Sequence, residues 1–148
     1  MRLVFSSSLA APVETVWTHA SGLAGINREL SPLRMSGGDS LRLDAHTPLG
    51  VPLFRSVLSL GHILPFDLHT LVLAEVWPGR GFRETSHSLL QRRWEHRREL
   101  VPTLAGGTRV TDTLDFEPRA FPGVAGALVR RVFERRHRWL TAHFGAQD

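Results

Sequence analysis

Trp94, His96 and Arg98 alternate with Arg93, Glu95, Arg97 and Glu99. A strand here sends the first three to one face and the four charged residues to the other. Val110, Asp112, Leu114 and Phe116 alternate in the same way, and Ala105-Gly106-Gly107 supplies a turn between the two runs. A hairpin turning at 104–107 pairs residues whose numbers sum to about 210. Arg98 then faces Asp112, His96 faces Leu114 and Trp94 faces Phe116. A shift by two, with His96 opposite Asp112, keeps the same faces. Arginine and aspartate on an apolar face need each other, because an unpaired buried charge costs several kcal/mol. One reading is a buried pair that sets register. Another is a polar anchor for a ligand carboxylate, hydroxyl or carbonyl. A third is acid–base chemistry through His96, whose titration range suits it.

Other residues extend this set. Glu84 falls on a neighbouring strand. Arg136 lies one helical turn after Val132 and one before Leu140, near an apolar stripe. It either extends to the helix edge, pairs with a strand carboxylate such as Glu84, or anchors an anion. Trp77, Trp94 and Trp139 fit a core as well as a ligand wall. Metal chemistry lacks a pattern. There is no cysteine, His137 and His143 are wrongly spaced for one helical face, His62 and His69 flank a loop, and no His-Glu-x-x-His occurs. Gly79-Arg80-Gly81 lacks the third glycine and following helix of a dinucleotide loop, and no Gly-x-Ser-x-Gly occurs. Neither metal nor cofactor is expected.

Around these residues the chain spells out its elements. Leu3, Phe5, Ser7 and Leu9 mark one face of a first strand. Val13, Val16, Trp17 and Ala20 mark a short helix over 12–20, and a second covers 23–29 before Ser31-Pro32. A period of two then runs from about 33 to 117. It predicts strands at 41–46, 53–62, 68–77, 82–88, 91–101 and 108–117, with a loop at 64–67 and a hairpin turn at 78–81. A helix of about six turns over 123–144 follows. Its apolar face is Ala125, Leu128, Val132, Phe133, Trp139, Leu140 and Phe144, and Gly145 is a C-cap. Only a helix laid on a sheet buries all these faces.

The 148 residues make one domain, with 42% hydrophobic and 22% charged residues. No apolar run approaches a membrane span, and Met1–Phe5 is too short for a secretion signal. A cytoplasmic, bacterial protein is expected. All 18 basic residues are arginine, and the net charge is only +4. The arginine clusters at 92–98 and 130–138 are interleaved with Glu95, Glu99 and Glu134, the pattern of a solvated, ion-paired face.

Ser8-Leu9-Ala10-Ala11-Pro12-Val13-Glu14-Thr15-Val16-Trp17 resembles the entry into the first helix of the START-like (SRPBCC) superfamily, which includes polyketide cyclases, dehydrases and lipid-transfer domains. Trp94-Glu95-His96 with Gly107-Thr108-Arg109-Val110-Thr111-Asp112 resembles the Trp-x-His and Gly-Thr-x-x-x-Asp elements of one bacterial branch. Phe133 to Leu140 resembles its closing helix. The resemblance implies an α+β helix-grip across residues 1–148: a strongly curved antiparallel sheet of six to seven strands wrapped around a long C-terminal helix, with two short helices after strand 1. It implies a cavity between sheet and helix, lined here by Trp77, Glu84, Trp94, His96, Arg98, Asp112, Leu114, Phe116, Leu128, Val132 and Arg136. The expected function is binding, carriage or sensing of a small hydrophobic ligand by a monomer or homodimer. The alternatives are a cyclase- or dehydratase-like enzyme using His96, Asp112 or Glu84, and a non-ligand module acting through its arginine-rich surface. Nucleic acid is not an expected partner.

Overall fold

The computed structural model describes residues 1–38 and 40–147. Seven strands form one antiparallel sheet: β1 (Arg2–Leu9), β2 (Leu33–Met35), β3 (Pro52–Leu60), β4 (Leu64–Trp77), β5 (Gly81–Ser88), β6 (Gln91–Pro102) and β7 (Thr108–Pro118). Their order across the sheet is β1-β7-β6-β5-β4-β3-β2. Two short helices, α1 (Val13–Ala20) and α2 (Leu23–Leu30), follow β1, and the long α3 (Pro122–Phe144) closes the chain. This is the α+β helix-grip. No helix among the described residues is long and apolar enough to cross a membrane.

The hairpin register follows the sum rule: Arg98 stands opposite Asp112, His96 opposite Leu114 and Trp94 opposite Phe116. The concave face therefore carries Trp94, His96, Arg98 and Leu100 together with Val110, Asp112, Leu114 and Phe116. Arg93, Glu95, Arg97 and Glu99 take the convex face, where Arg93 pairs with Asp115 and Arg97 with Glu99. The turn before β5 is held by Gly79, at a φ of 77° that favours glycine. Gly81 follows with its Cα against the Arg98 carbonyl, where a side chain has no room.

Two sequence expectations fail here. Residues 41–46 form no strand; Arg42 makes only an isolated bridge to Gly22, and Leu43 is buried as part of a loop. The alternation at 41–45 reflects a loop folded over the core, while the short β2 at Leu33–Met35 takes the edge beside β3. Residues 64–67 are strand, not loop, because the chain turns at Gly61 (φ 61°) and Leu64 already pairs with Leu60. Pro65 stands opposite Ser59 at a register shift in β3 and outside the reach of β5, which pairs with β4 only from His69 onward, a setting in which a strand tolerates proline.

Three apolar clusters surround the concave face. Leu9, Val13, Val16, Leu100, Val110 and Leu140 join α1, the sheet and the C-terminal half of α3. Leu114, Phe116 and Phe133 pack with Leu3, Phe5, Trp94, Val129 and Val132. Leu43, Leu73 and Phe82 form the third. Between them lies a set of buried charges.

Candidate functional site

Glu29 and Asp112 are the two hubs of this set, each almost wholly buried. Arg98 spans them. Its Nε and Nη2 donate to Asp112 at 2.8 Å each, and its Nη1 and Nη2 donate to Glu29 at 3.0 and 2.7 Å. One guanidinium thus serves two carboxylates in bidentate fashion, the geometry to which its planar fork is suited. Arg136 of α3 donates from Nε to Glu29 at 2.7 Å, and the imidazole of His19 of α1 donates from Nε2 to Glu29 at 2.7 Å. Asp112 also accepts from His96 Nε2 at 2.7 Å and from His137 Nε2 at 2.8 Å. Ser7 lies 2.7 Å from His137 Nδ1 and completes that branch. The sheet and all three helices therefore meet at two carboxylates.

A second branch runs along the concave face. Glu84 accepts from His69 Nε2 at 2.7 Å and from Ser86 Oγ at 2.8 Å, and its other oxygen lies 3.7 Å from His96 Nδ1. Burial alone pushes the Glu29 carboxyl up, but Arg98, Arg136 and the His19 hydrogen bond outweigh it and hold it far below the usual carboxylate range. Glu84 is likewise held low against burial by His69 and His96, and Asp112 by Arg98, His96 and His137. Burial pulls His69 down, yet Glu84 and Asp67 raise it above its ordinary value. Three carboxylates and two guanidiniums leave one negative charge over, and the Glu84 carboxylate beside His69 favours the protonated form of that imidazole.

Of the residues singled out in the sequence, Glu84, His96, Arg98, Asp112 and Arg136 meet in this network. Leu114 and Phe116 are buried beside it, and Trp94 and Val132 are half-buried against Phe133. Two lie elsewhere. Trp77 sits under the Arg97 guanidinium on the convex face, 4.9 Å from ring centroid to Cζ, because a bulge between Leu73 and Glu75 resets the end of β4. Leu128 is 59% exposed, since nothing packs over that side of α3. Arg136 pairs with Glu29, not with Glu84. Sequence reasoning missed Glu29, His19, His69, His137 and Ser7. Glu29 was legible only as an acidic residue at the end of a short amphipathic helix, with nothing to tell it from a surface carboxylate.

Where a cavity was expected, these side chains fill the space around Asp112. The more enclosed concavity lies at the rim of the network, between α1, α2, residues 40–42 and the C-terminal turn of α3. Its volume is 370 Å³. Leu23, Ala24, Leu41 and Phe144 give it apolar walls, and His19, Arg28, Arg42 and His143 its polar groups. Among the described residues no carboxylate lines it. Arg42 is fixed by donating to the Thr18 carbonyl at 2.7 Å. His19 is the link inward, with Nε2 on Glu29 and its ring stacked on Trp139 at 5.0 Å. Gly25 lets α2 approach α1 this closely, because a Cβ there would collide with the His19 backbone. A more open groove of 740 Å³ runs between β1 and α3 past Phe5, Ser7 and His137. Among the described residues no group of three histidines or carboxylates could hold a metal ion.

A curved seven-stranded sheet, two helices after β1 and a closing helix define a START-like fold, and solved structures agree. A protein from Chromobacterium violaceum superposes with a TM-score of 0.72 at 15% identity, covering 99% of both chains. A START superfamily protein from Mycobacterium smegmatis gives 0.67 at 14% identity, covering 97% of this chain and 96% of the other. The Zhui aromatase/cyclase from Streptomyces sp. R1128 gives 0.64 at 16% identity, covering 97% and 92%. At these identities the likeness establishes the fold. Residues 7–144 match the model of a domain of unknown function, DUF8410, and the chain belongs to that family. No curated protein matches its sequence.

Proposed function

We propose that this chain binds a small hydrophobic molecule with an acidic group and carries it unaltered. The observation that supports this most is the 370 Å³ pocket between α1, α2 and the end of α3. Ligand sites are concavities of about 300–1,000 Å³, mostly apolar, with a few polar groups that fix orientation. Here Arg28 and Arg42 supply positive charge at an apolar recess. The fold it shares with a START superfamily protein and an aromatase/cyclase is compatible with such a role. In this reading Glu84, His96, Arg98, Asp112 and Arg136 stiffen the wall behind the pocket through Glu29 and His19. Trp94, Leu114, Phe116 and Val132 line the rest of the space between sheet and helix.

The hydrogen-bonded His96–Asp112 and His69–Glu84 pairs favour the second reading, a cyclase- or dehydratase-like enzyme. Two features weigh against it. A general base works best with a pKa near the working pH, and Arg98 pulls Asp112 the other way. Both pairs are also buried away from the pocket.

The test is fluorescence titration with anilinonaphthalene sulfonate, an apolar dye with one anionic group. The native chain is expected to bind it, and Ala24→Trp, which fills the pocket from its exposed side, to weaken binding at least about tenfold, or about 1.4 kcal/mol. Unchanged affinity in Ala24→Trp contradicts the assignment.

A further inference from the structure

One end of the sheet is apolar on its outside. The antiparallel order puts the starts of β2, β4 and β6 beside the ends of β3, β5 and β7. Backbone bonds tie this end together: Leu89 N–H donates to the Leu68 carbonyl, and Arg119 N–H to the Leu90 carbonyl at 3.0 Å. From it project Ile63, Leu64 and Phe66 after the β3–β4 turn, Leu89 and Leu90 of the β5–β6 turn, and Phe121 at the entry to α3. Ile63 is 90% exposed and Phe121 79%. Several large apolar side chains left exposed at one end of a sheet mark an interaction surface.

Phe121 adds an independent sign. Its φ is 47°, a left-handed conformation that a bulky residue adopts at a cost in energy, and it is the only non-glycine with positive φ among the described residues. That strained backbone points an aromatic ring into solvent, which contributes nothing to the core. The charges around this end complete the picture. Arg2, Arg34, Arg92, Arg93 and Arg119 stand at this end against Glu95, Asp115 and Glu117, while Asp67 is buried and accepts from the Leu68 and Leu90 N–H groups. Arg92 pairs with Glu117 and Arg93 with both Asp115 and Glu95, which leaves Arg2, Arg34 and Arg119 without an ion pair among the described residues.

We propose that this end docks on an anionic lipid surface, with Ile63, Leu89, Leu90 and Phe121 entering the interface and the surrounding arginines facing the headgroups. Apolar area and basic charge act together in such binding: the first supplies depth and the second attraction to the negatively charged leaflet. The surface lies apart from the pocket, so this inference does not rest on the proposed ligand.

The experiment is co-sedimentation of the full chain with vesicles of phosphatidylcholine alone and of phosphatidylcholine mixed with phosphatidylglycerol. The anionic vesicles are expected to take up the protein at least about tenfold more strongly, with the difference shrinking as salt rises. Ile63→Ser with Phe121→Gly is expected to lose that binding by about tenfold or more. Phe121→Gly alone relieves the positive φ, so it should raise the urea midpoint while weakening vesicle binding. A merely structural Phe121 would not separate the two readouts in this way. Equal uptake by both vesicle types, or a double variant that binds like the native chain, overturns the proposal. So does a dimer in sedimentation velocity that the double variant dissociates, because the surface then belongs to a second copy of the chain.

Discussion

The two halves of α3 have similar apolar periodicity and opposite fates. In the C-terminal half, Phe133, Arg136, His137 and Leu140 are buried against the sheet, with Glu29 of α2 and His19 of α1 closing over them. In the N-terminal half, Val124 is 63% and Leu128 59% exposed, and only the inner edge is covered, by the apolar cluster at Val129 and by Met1 beside Gly126. Spacing along a helix tells which side is apolar. Whether that side is covered depends on which other elements reach it, and α1 and α2 reach only one half. The covered half is also where the buried charges sit, so its stability depends on pairing as well as on apolar burial.

Lowering the pH should separate the two halves of α3 most widely. Glu29, Glu84 and Asp112 all titrate below their ordinary values. A depressed carboxyl contributes stability above its unfolded pKa, 4.5 for glutamate and 3.8 for aspartate, and loses it as pH falls. Urea unfolding followed through the C-terminal half of α3 should weaken below pH 4.5, by up to about 4 kcal/mol per pH unit if all three take up protons together. His69 carries the opposite sign. Its raised pKa contributes stability below 6.5 that disappears as pH rises through its folded value. Glu84→Gln should therefore flatten the alkaline loss. A stability flat across the acid range would mean that these carboxylates are not paired.

Truncation sharpens the contrast at smaller scale. Leu140 is fully buried, and Leu140→Ala should cost about 2–5 kcal/mol in urea unfolding. Leu128→Ala, on the same helix and of the same chemistry, should stay within about 0.5 kcal/mol. Similar losses at the two positions would show that Leu128 is covered in solution.

Much of this was legible in the sequence for a simple reason. Strands and turns are local, so the alternation at 91–117 and the glycines at 106–107 predict a hairpin whose register the structure reproduces. The same alternation separates Arg98 from Arg97 and so identifies the buried arginine. Two things were not local. The pattern Leu41-Arg42-Leu43 looks like a strand, yet Leu43 is buried by a loop crossing α1 and α2, which period alone does not distinguish. Glu29 lies 69 residues from Arg98 and 107 from Arg136. Its role comes from α2 packing between sheet and α3, and no spacing within the chain encodes that. Asp112 with Arg98 was visible as a pair. That Arg98 serves two carboxylates, and that three histidines complete the hubs, required the fold.

The interior around Asp112 is a closed ionic network. A double-mutant cycle of Arg98→Met, Asp112→Ala and the pair, measured by urea unfolding near neutral pH, tests it most directly. Asp112→Ala alone leaves the buried Arg98 guanidinium with Glu29 as its one carboxylate and takes the acceptor from His96 and His137, and should cost about 3–5 kcal/mol. The double variant should lose less than the sum of the singles, with a coupling of about 0.5–3 kcal/mol. Strictly additive losses would mean that the two side chains do not meet, and would contradict a closed network.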